Sequence, residues 1–226
     1  MDSLTQVWPP FGVRIEVATP ERSIALLGLT DAHLPLLAHA SEESVYGPNT
    51  PDHAFPWLFA PDSERARNSA QFRWLNRVNF QPAAWSLDLV VFDGDTLIGA
   101  VDLRATDFAF RRTVATGSWI FHRFQGQGFG TLVRHAIAGF CFDHLGAERV
   151  ESGWILGNDA SARVSAKLGY VKVKNIQVPA GPDSIPLPGE LAELTRERYR
   201  EIHPDAPTVT VSGLTPELRA MMGVEA

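Results

Sequence analysis

The stretch that decides the fold runs from Ser118 to Thr131 and has the sequence SWIFHRFQGQGFGT. It begins as an apolar strand that ends near Phe121, continues as a glycine-rich loop, and passes directly into a long helix. Such a junction gathers unpaired backbone N–H groups at the positive end of a helix dipole, which favours an anion. The three glycines of the loop let the main chain approach a phosphate without an intervening Cβ. The junction therefore predicts a phosphate-binding loop.

A glycine-rich loop alone is compatible with several kinds of site. A Rossmann dinucleotide site needs GxGxxG after the first strand and an acidic residue roughly twenty positions further on. Here the spacing is GxGxG and the loop follows several strands. A Walker loop needs GK[ST], which the sequence lacks. A tight turn without a ligand accounts for two glycines better than for three alternating ones at a helix start.

The helix after the loop is amphipathic and is followed by a strand and a second helix. Its apolar residues recur at i, i+3, i+4, i+7, i+8, i+11 and i+12. They are Phe129, Leu132, Val133, Ala136, Ile137, Phe140 and Cys141. Gly146 is expected to end this helix. We predict a strand at about 148–155 and a helix from Asn158 or Asp159 to Leu168, ended by Gly169.

The rest of the chain is predicted from shorter patterns. Upstream we expect strands at 13–18 and 23–29, a helix at 30–40, a loop at 44–61 that holds aromatic residues, and a helix from about 62 with Ala66, Ala70, Trp74 and Val78 on its apolar face. A hairpin turns at 93–95, and a strand follows at 114–121. Downstream we expect a strand at 170–178, a proline- and glycine-rich segment at 179–189, a strand near 190–194 and a charged helix. The tail 204–226 is compatible with an arm, a subunit contact in a homodimer or a floppy end.

Composition places the chain among ordinary globular proteins. It has 226 residues, 45% of them apolar and 20% charged, with a formal net charge of -6. That balance disfavours a nucleic-acid partner or an anionic membrane surface. No apolar run approaches the roughly 20 residues that cross a bilayer, and the N-terminus does not resemble a secretory signal, so we expect a cytoplasmic protein. The single cysteine excludes an intrachain disulfide, and no cysteine cluster suggests zinc.

Two motifs together resemble the GNAT acyltransferase superfamily. The segment 125–130, QGQGFG, matches the Q/R-x-x-G-x-G/A signature. The segment 158–170, NDASARVSAKLGY, is similar to the element N-x-x-S-x-x-V-x-x-K-L-G-[FY] and most similar to the RimJ/RimL-like N-acetyltransferase branch. The resemblance is specific across about 100–178, looser over the N-terminal part and absent for the tail.

The resemblance implies a single α/β (α+β) domain with a mixed, twisted central sheet that is flanked by helices and splays open after the strand ending at Phe121. The domain would span 1–180, and 181–226 would be an extension that completes the sheet or forms an arm. Acetyl-CoA or another short acyl-CoA, including succinyl-CoA, would be the cosubstrate, with no metal. Its pantetheine would lie in the split and its pyrophosphate on the loop amides. The implied cofactor contacts are Trp119, Ile120, Phe121, Gln125, Gly126, Gln127, Gly128, Phe129, Gly130, Thr131, Asn158 and Ser161.

In such enzymes a neutral amine attacks the thioester directly, a base removes its proton, and an acid protonates the thiolate. Ser165 stands where many relatives carry the tyrosine acid, and Gly153 where some carry a glutamate base. Glu151 lies two residues before Gly153, so its side chain would point to the same face of the strand. Ser165 and Glu151 are therefore the catalytic candidates, whereas Cys141 is expected in the core. Since Ser165 lies seven residues after Asn158 and four after Ser161, we expect all three to face the cofactor slot.

The acceptor predicted from the resemblance is a primary amine of a protein N-terminus, a lysine or a small molecule. Aromatic residues at 46, 55, 57, 59 and 74 are candidates for the wall of its pocket. The alternative is an acyl-CoA-binding module without turnover, because both usual proton-transfer groups are missing.

Overall fold

The computed structural model describes residues 3–38, 40–50, 52–181 and 183–224. Within that part of the chain, nine strands form one mixed sheet in the order β7-β8-β6-β5-β4-β3-β2-β1-β9. The strands are β1 (Arg14–Ala18), β2 (Ser23–Gly28), β3 (Ala84–Asp93), β4 (Thr96–Thr106), β5 (Thr113–Ile120), β6 (Arg149–Ile155), β7 (Val171–Ala180), β8 (Ile185–Thr195) and β9 (Val209–Ser212). The α/β architecture inferred from the motifs is confirmed.

Helices of very different length flank this sheet. They are α1 (Ser3–Val7), α2 (Leu34–Leu37), α3 (Glu42–Tyr46), α4 (Asp62–Val78), α5 (Phe108–Arg111), α6 (Phe129–Gly139), α7 (Asp159–Leu168), α8 (Arg196–Ile202) and α9 (Pro216–Met221). Short 3-10 turns lie in the connections between these elements, at Pro9–Gly12, Asp31–His33, Pro56–Phe59 and His122–Phe124.

The sheet opens between β5 and β6, its one parallel pair among the described strands. These strands are paired only from Thr113 and Arg149 to Thr116 and Ser152. Beyond the Thr116–Ser152 pair they separate, and we call this point the fork. The predicted splaying of the sheet is confirmed, although it begins inside β5 rather than after Phe121. The fork leaves backbone edges of both strands without a strand partner, which is where an extended ligand can lie.

The main hydrophobic core lies between the sheet and α6. The whole apolar face predicted for this helix is buried, from Phe129 to Cys141. A π-helical turn, Phe140–His144, extends the helix, and Gly146 follows with a φ of 75°. The period of the sequence therefore describes this helix correctly.

The apolar face predicted for α4 was wrong. Trp74 is 46% exposed and Val78 is 80% exposed, whereas Ser69 and Arg73 are buried. The helix turns a polar stripe toward the sheet, where its Asn76 donates to the half-buried carboxylate of Asp88 on β3. The segment predicted as a loop at 44–61 also contains most of α3 and a 3-10 turn.

The C-terminal segment adds an inner strand next to one edge of the sheet and forms the opposite edge. β8 begins at Ile185, inside the proline- and glycine-rich segment, and pairs with β6 and β7. β9 pairs with β1, and the carbonyl of Met222 accepts a hydrogen bond from the Trp85 indole at 2.8 Å. Residues 225–226 of the predicted tail lie outside the described residues. Within the described ranges, no helix has the length and apolarity needed to cross a membrane.

Candidate active site

A cavity of about 1110 Å³ passes through the fork. At one end it is lined by the loop 125–131 and the start of α7, and we call this the loop end. At the other it is lined by Asp88, Asp102 and Glu151, and we call this the acidic end. One continuous space therefore joins a helix N-terminus to a group of carboxylates.

The loop end is built around α6 and the two glycines before it. Gly126 and Gly128 have φ values of 73° and 89°, in the left-handed region that favours glycine. A Cβ at either position would meet no atom within 4 Å, so the space beside the loop is open. No side chain of the described residues caps α6, which leaves its first backbone amides available to a ligand. This geometry suits a phosphate group.

Several predicted contact residues point into the cavity and others do not. Trp119, Ile120, Gln125, Gly126, Gly128, Gly130, Thr131, Asn158 and Ser161 line it. The side chains of Phe121 and Phe129 are buried in the hydrophobic cores instead. The Gln125 amide donates to the carbonyls of Val45 and Ile120 at 2.6 and 2.8 Å, and that of Gln127 donates to the Arg123 carbonyl at 2.8 Å. Both glutamine side chains therefore brace the protein chain around the loop.

The predicted position of Ser165 in the slot is contradicted. Val164 and Lys167 line the cavity, whereas Ser165 is 1% exposed and its Oγ has no hydrogen-bond partner among the described residues. The helix presents residues at i+3 spacing to the cavity, and the i+4 row that contains Ser165 turns into the core. At the start of the helix, the Asn158 Oδ1 accepts from the Ser161 backbone amide at 3.1 Å, so it caps α7.

The acidic end contains two carboxylates that face each other across β3 and β4. Asp88 and Asp102 are directly paired in the ladder, so their side chains lie on the same face of the sheet. Asp102 forms an ion pair with Arg104, with 2.7 Å between its Oδ2 and the arginine Nε. Its other oxygen lies so close to Gly117 that a Cβ there would be 2.2 Å from it. Gly117 is the first residue of β5 beyond the fork, and its missing side chain gives Asp102 access to the gap between the strands.

Asp88 has an unusual proton affinity. Burial raises its pKa to about 6, against the lowering effects of a hydrogen bond from Asn76 and the charge of Arg73, while the charge of Asp102 adds to the rise. Arg73 is itself buried, with its guanidinium 5.2 Å from the Trp57 ring centroid, and burial lowers its pKa. A carboxylate with a pKa near neutrality can exchange protons at physiological pH.

Glu151 lies on the same sheet face as Asp102, on the far side of β5. It is opposite Ala115 in the parallel ladder and lines the cavity. Its neighbour Ser152 points to the opposite face, toward α6. Of the two catalytic residues proposed from sequence, Glu151 therefore reaches the cavity and Ser165 does not.

Aromatic side chains wall the cavity beside these carboxylates. Tyr46, Phe55, Trp57 and Phe59 line it, together with Phe72 and His53. Trp74, which was also predicted here, lies instead on the exposed face of α4 and donates to Asp31 at 3.1 Å. His53 stacks on Phe59 at 4.2 Å between ring centroids, and its two ring nitrogens contact Glu42 and the Phe55 amide. Its hydrogen bonds thus hold His53 as part of the wall.

Sequence reasoning missed Asp88, Asp102 and Arg73. Each stands inside a strand or helix without a recognisable motif. One signal could have found the two aspartates. They are polar residues in a predicted hairpin of otherwise apolar strands, at positions that put both side chains on the same face of the sheet.

Cys141 is fully buried and does not line the cavity, and burial raises its thiol pKa. The described residues contain no group of three or more His, Cys, Asp or Glu side chains that could hold a metal ion.

Solved structures with the same fold include acetyltransferases bound to coenzyme A. RimJ of Mycobacterium smegmatis, in complex with CoA-disulfide, is similar with a TM-score of 0.70 and 14% identity, covering 88% of this chain and 95% of that chain. Spermidine N-acetyltransferase from Vibrio cholerae, in complex with CoA and spermine, gives a TM-score of 0.57 and 14% identity, covering 78% and 97%. At these identities the likeness establishes the fold.

The family itself follows from the sequence. A model of the acetyltransferase (GNAT) domain matches residues 24–171. This match spans more than half of the chain and includes the loop, the fork and both ends of the cavity. The chain therefore belongs to the GNAT acetyltransferase family.

Proposed function

We propose that the chain transfers a short acyl group from acyl-CoA to a primary amine by direct attack. The observation that supports this most strongly is the continuity of the cavity through the fork, from the uncapped helix α6 to the carboxylates of the acidic end. The pyrophosphate would bind the amides of 126–131, and the pantetheine would lie along Trp119 and Ile120 between the separated strands. The acyl group would then reach the level of Gly117 and Gly153.

Proton transfer would fall to the acidic end. An amine is cationic at neutral pH and must lose a proton before it attacks the thioester. Asp88 and Asp102 would accept that proton, directly or through water, because one has a pKa of about 6 and the other lies beside Gly117. Glu151 would complete the negative field that attracts the amine. Cys141 is too buried for an acyl-cysteine intermediate, which favours direct transfer.

The acceptor would be a cationic amine with an apolar portion. Carboxylates attract the ammonium group, and Trp57, Phe59 and Phe72 offer aromatic surface beside it. A polyamine, a lysine side chain and a protein N-terminus all meet this description. The aromatic wall favours an acceptor that buries hydrocarbon as well as charge.

A thiol-release assay with acetyl-CoA and a panel of amines tests this function. We expect turnover with at least one cationic amine and none with a neutral alcohol of the same shape. If calorimetry detects acetyl-CoA binding while no amine releases thiol, the chain is an acyl-CoA-binding module without turnover.

A further inference from the structure

A buried arginine lies directly beneath the fork. Arg134, on α6, is 5% exposed and lines the cavity. Its Nη1 donates to Thr116 Oγ1 at 2.5 Å and its Nη2 donates to Ser152 Oγ at 3.0 Å. Thr116 and Ser152 are the last paired residues of β5 and β6. The guanidinium is therefore held at the inner end of the gap between the strands.

Tyr170 completes this group, which we call the Arg134 cluster. Its ring centroid lies 5.8 Å from the guanidinium carbon, and the side chain is buried. The cluster consists of one cation and three hydroxyl groups. None of the ion pairs among the described residues includes Arg134. Hydroxyl oxygens satisfy hydrogen bonds but do not neutralise the charge, and a buried charge without a counter-ion is costly.

An arginine has five N–H donors. Thr116 and Ser152 accept from two of those of Arg134, and Tyr170 also shares a hydrogen bond with its guanidinium, which leaves donors for a ligand. The planar guanidinium fits a carboxylate with paired hydrogen bonds better than it fits a neutral carbonyl. Ser152 Oγ accepts from Arg134, so its own proton is free to be donated toward a ligand. The cluster thus offers charge and donors of the kind that bind a small carboxylate.

The Arg134 cluster lies where the acyl end of a bound acyl-CoA would reach. From Thr116 to Phe121, the residue after β5, the chain spans about 16 Å, which is comparable with an extended pantetheine arm. The phosphates of CoA would bind the backbone amides of the loop end, too far away to neutralise the charge of Arg134. An acetyl group carries no charge, so it leaves the guanidinium unpaired. An acyl chain that ends in a carboxylate brings a negative charge to the inner end of the gap.

On the basis of the proposed function, we propose that the Arg134 cluster is a carboxylate subsite, which gives short dicarboxylic acyl-CoA donors such as succinyl-CoA an advantage over acetyl-CoA. The acyl carboxylate forms hydrogen bonds with Arg134 and Ser152 while the amine attacks the thioester carbonyl from the acidic end. The C–S bond breaks, the amide forms, CoA leaves as the thiol, and the acyl carboxylate takes no part in the chemistry.

The test compares succinyl-CoA with acetyl-CoA on the wild-type chain, using one amine acceptor and thiol release. We expect kcat/KM for succinyl-CoA to equal or exceed that for acetyl-CoA. In Arg134→Met, which removes the charge at similar volume, we expect the succinyl-to-acetyl ratio to fall roughly 10- to 100-fold. Arg163→Met, which removes a largely exposed arginine at the cavity rim, is the matched control and should leave the ratio unchanged.

Two results would contradict the carboxylate subsite. One is a wild-type chain that turns over acetyl-CoA but not succinyl-CoA, and the other is an Arg134→Met variant in which kcat/KM falls equally for both donors. If Arg134→Met does not fold, Ser152→Ala removes one donor and should lower the same ratio. If no acyl-CoA is turned over, the proposed function fails, and calorimetry still decides the subsite. Tighter binding of succinyl-CoA than of acetyl-CoA then supports it, and equal or weaker binding contradicts it.

Discussion

The two ends of the cavity differ in the charge they present and in how the chain builds them. The loop end offers backbone amides at the N-terminus of α6, formed by one continuous segment. The acidic end offers side-chain carboxylates from β3, β4 and β6, which only the register of the sheet brings onto one face. Anionic phosphates and a cationic amine therefore have separate sites in one space. The difference implies that each end can be damaged without harming the other.

The largest effect is expected from a charge placed at the loop end. Gly128→Glu should weaken acetyl-CoA binding by roughly 100-fold or more, because a carboxylate would repel the pyrophosphate. Calorimetry measures the affinity, and circular dichroism checks the fold. Gly128→Asn is the matched control, since asparagine tolerates the positive φ of this position without a charge. Unchanged affinity in Gly128→Glu would remove the loop from the donor site.

A substitution at the acidic end should spare binding of acetyl-CoA and damage turnover. Asp88→Asn keeps the shape of the side chain but cannot accept the proton, so we expect kcat to fall by roughly 100-fold. The Kd for acetyl-CoA should stay near the wild-type value. Asp95→Asn, in the exposed turn between β3 and β4, is the control. A wild-type kcat in Asp88→Asn would show that the proton leaves by another route.

The pH dependence should separate the two ends as well. Burial raises the pKa of Asp88 to about 6, so the carboxylate that accepts a proton is present above that pH and is lost below it. The rate should therefore fall roughly tenfold for each pH unit below about 6, while acetyl-CoA binding changes little. A pH–rate profile measures this, and Asp88→Asn should abolish the inflection. A profile of wild-type shape in that variant would assign the inflection to another group.

Ser165→Ala should have the smallest effect. The hydroxyl is buried, unpartnered among the described residues and outside the cavity wall. Removing it should leave kcat within about twofold and keep the free energy of unfolding within about 1 kcal/mol, because no good hydrogen bond is lost. Steady-state kinetics and urea unfolding measure the two quantities. A large loss of kcat with an unchanged Kd would restore Ser165 as a catalytic residue.

What could be predicted from the sequence follows the same division. The loop, α6 and α7 are local structures with strong periodic and glycine signals, so the residues predicted their positions. The fork was expected from the family resemblance alone, and it begins earlier in β5 than expected. Asp88 and Asp102 stand in strands that look apolar, and nothing local reveals that they pair across β3 and β4. Arg73 was hidden as well, because its buried guanidinium donates to Ser69 within α4 and no motif reveals that contact. Polar contacts that depend on the register between strands produce no periodic pattern in the sequence.

Two predictions about helix faces were wrong because the neighbours of a helix in the fold decide which of its faces is buried. A helix face was assigned from hydrophobicity for α4 and from family spacing for α7. In α4 the stripe that faces the sheet is polar, because Asn76 donates to the half-buried Asp88 and Arg73 lies close enough to Asp88 for their charges to interact. In α7 the cavity selects Val164 and Lys167, not Ser165. Arg134 was missed for a similar reason. It is a buried cation on the otherwise apolar helix α6, and its hydrogen-bond partners are Thr116 and Ser152 on two strands.

The most direct test of the account is the structure of the protein with coenzyme A and an amine acceptor bound. We expect the pyrophosphate on the backbone amides of 126–131, the sulfur between Gly117 and Gly153, and the amine on the Asp88–Asp102 side of the sheet. Coenzyme A bound outside the gap between β5 and β6, or an amine on the α6 face, would contradict the account.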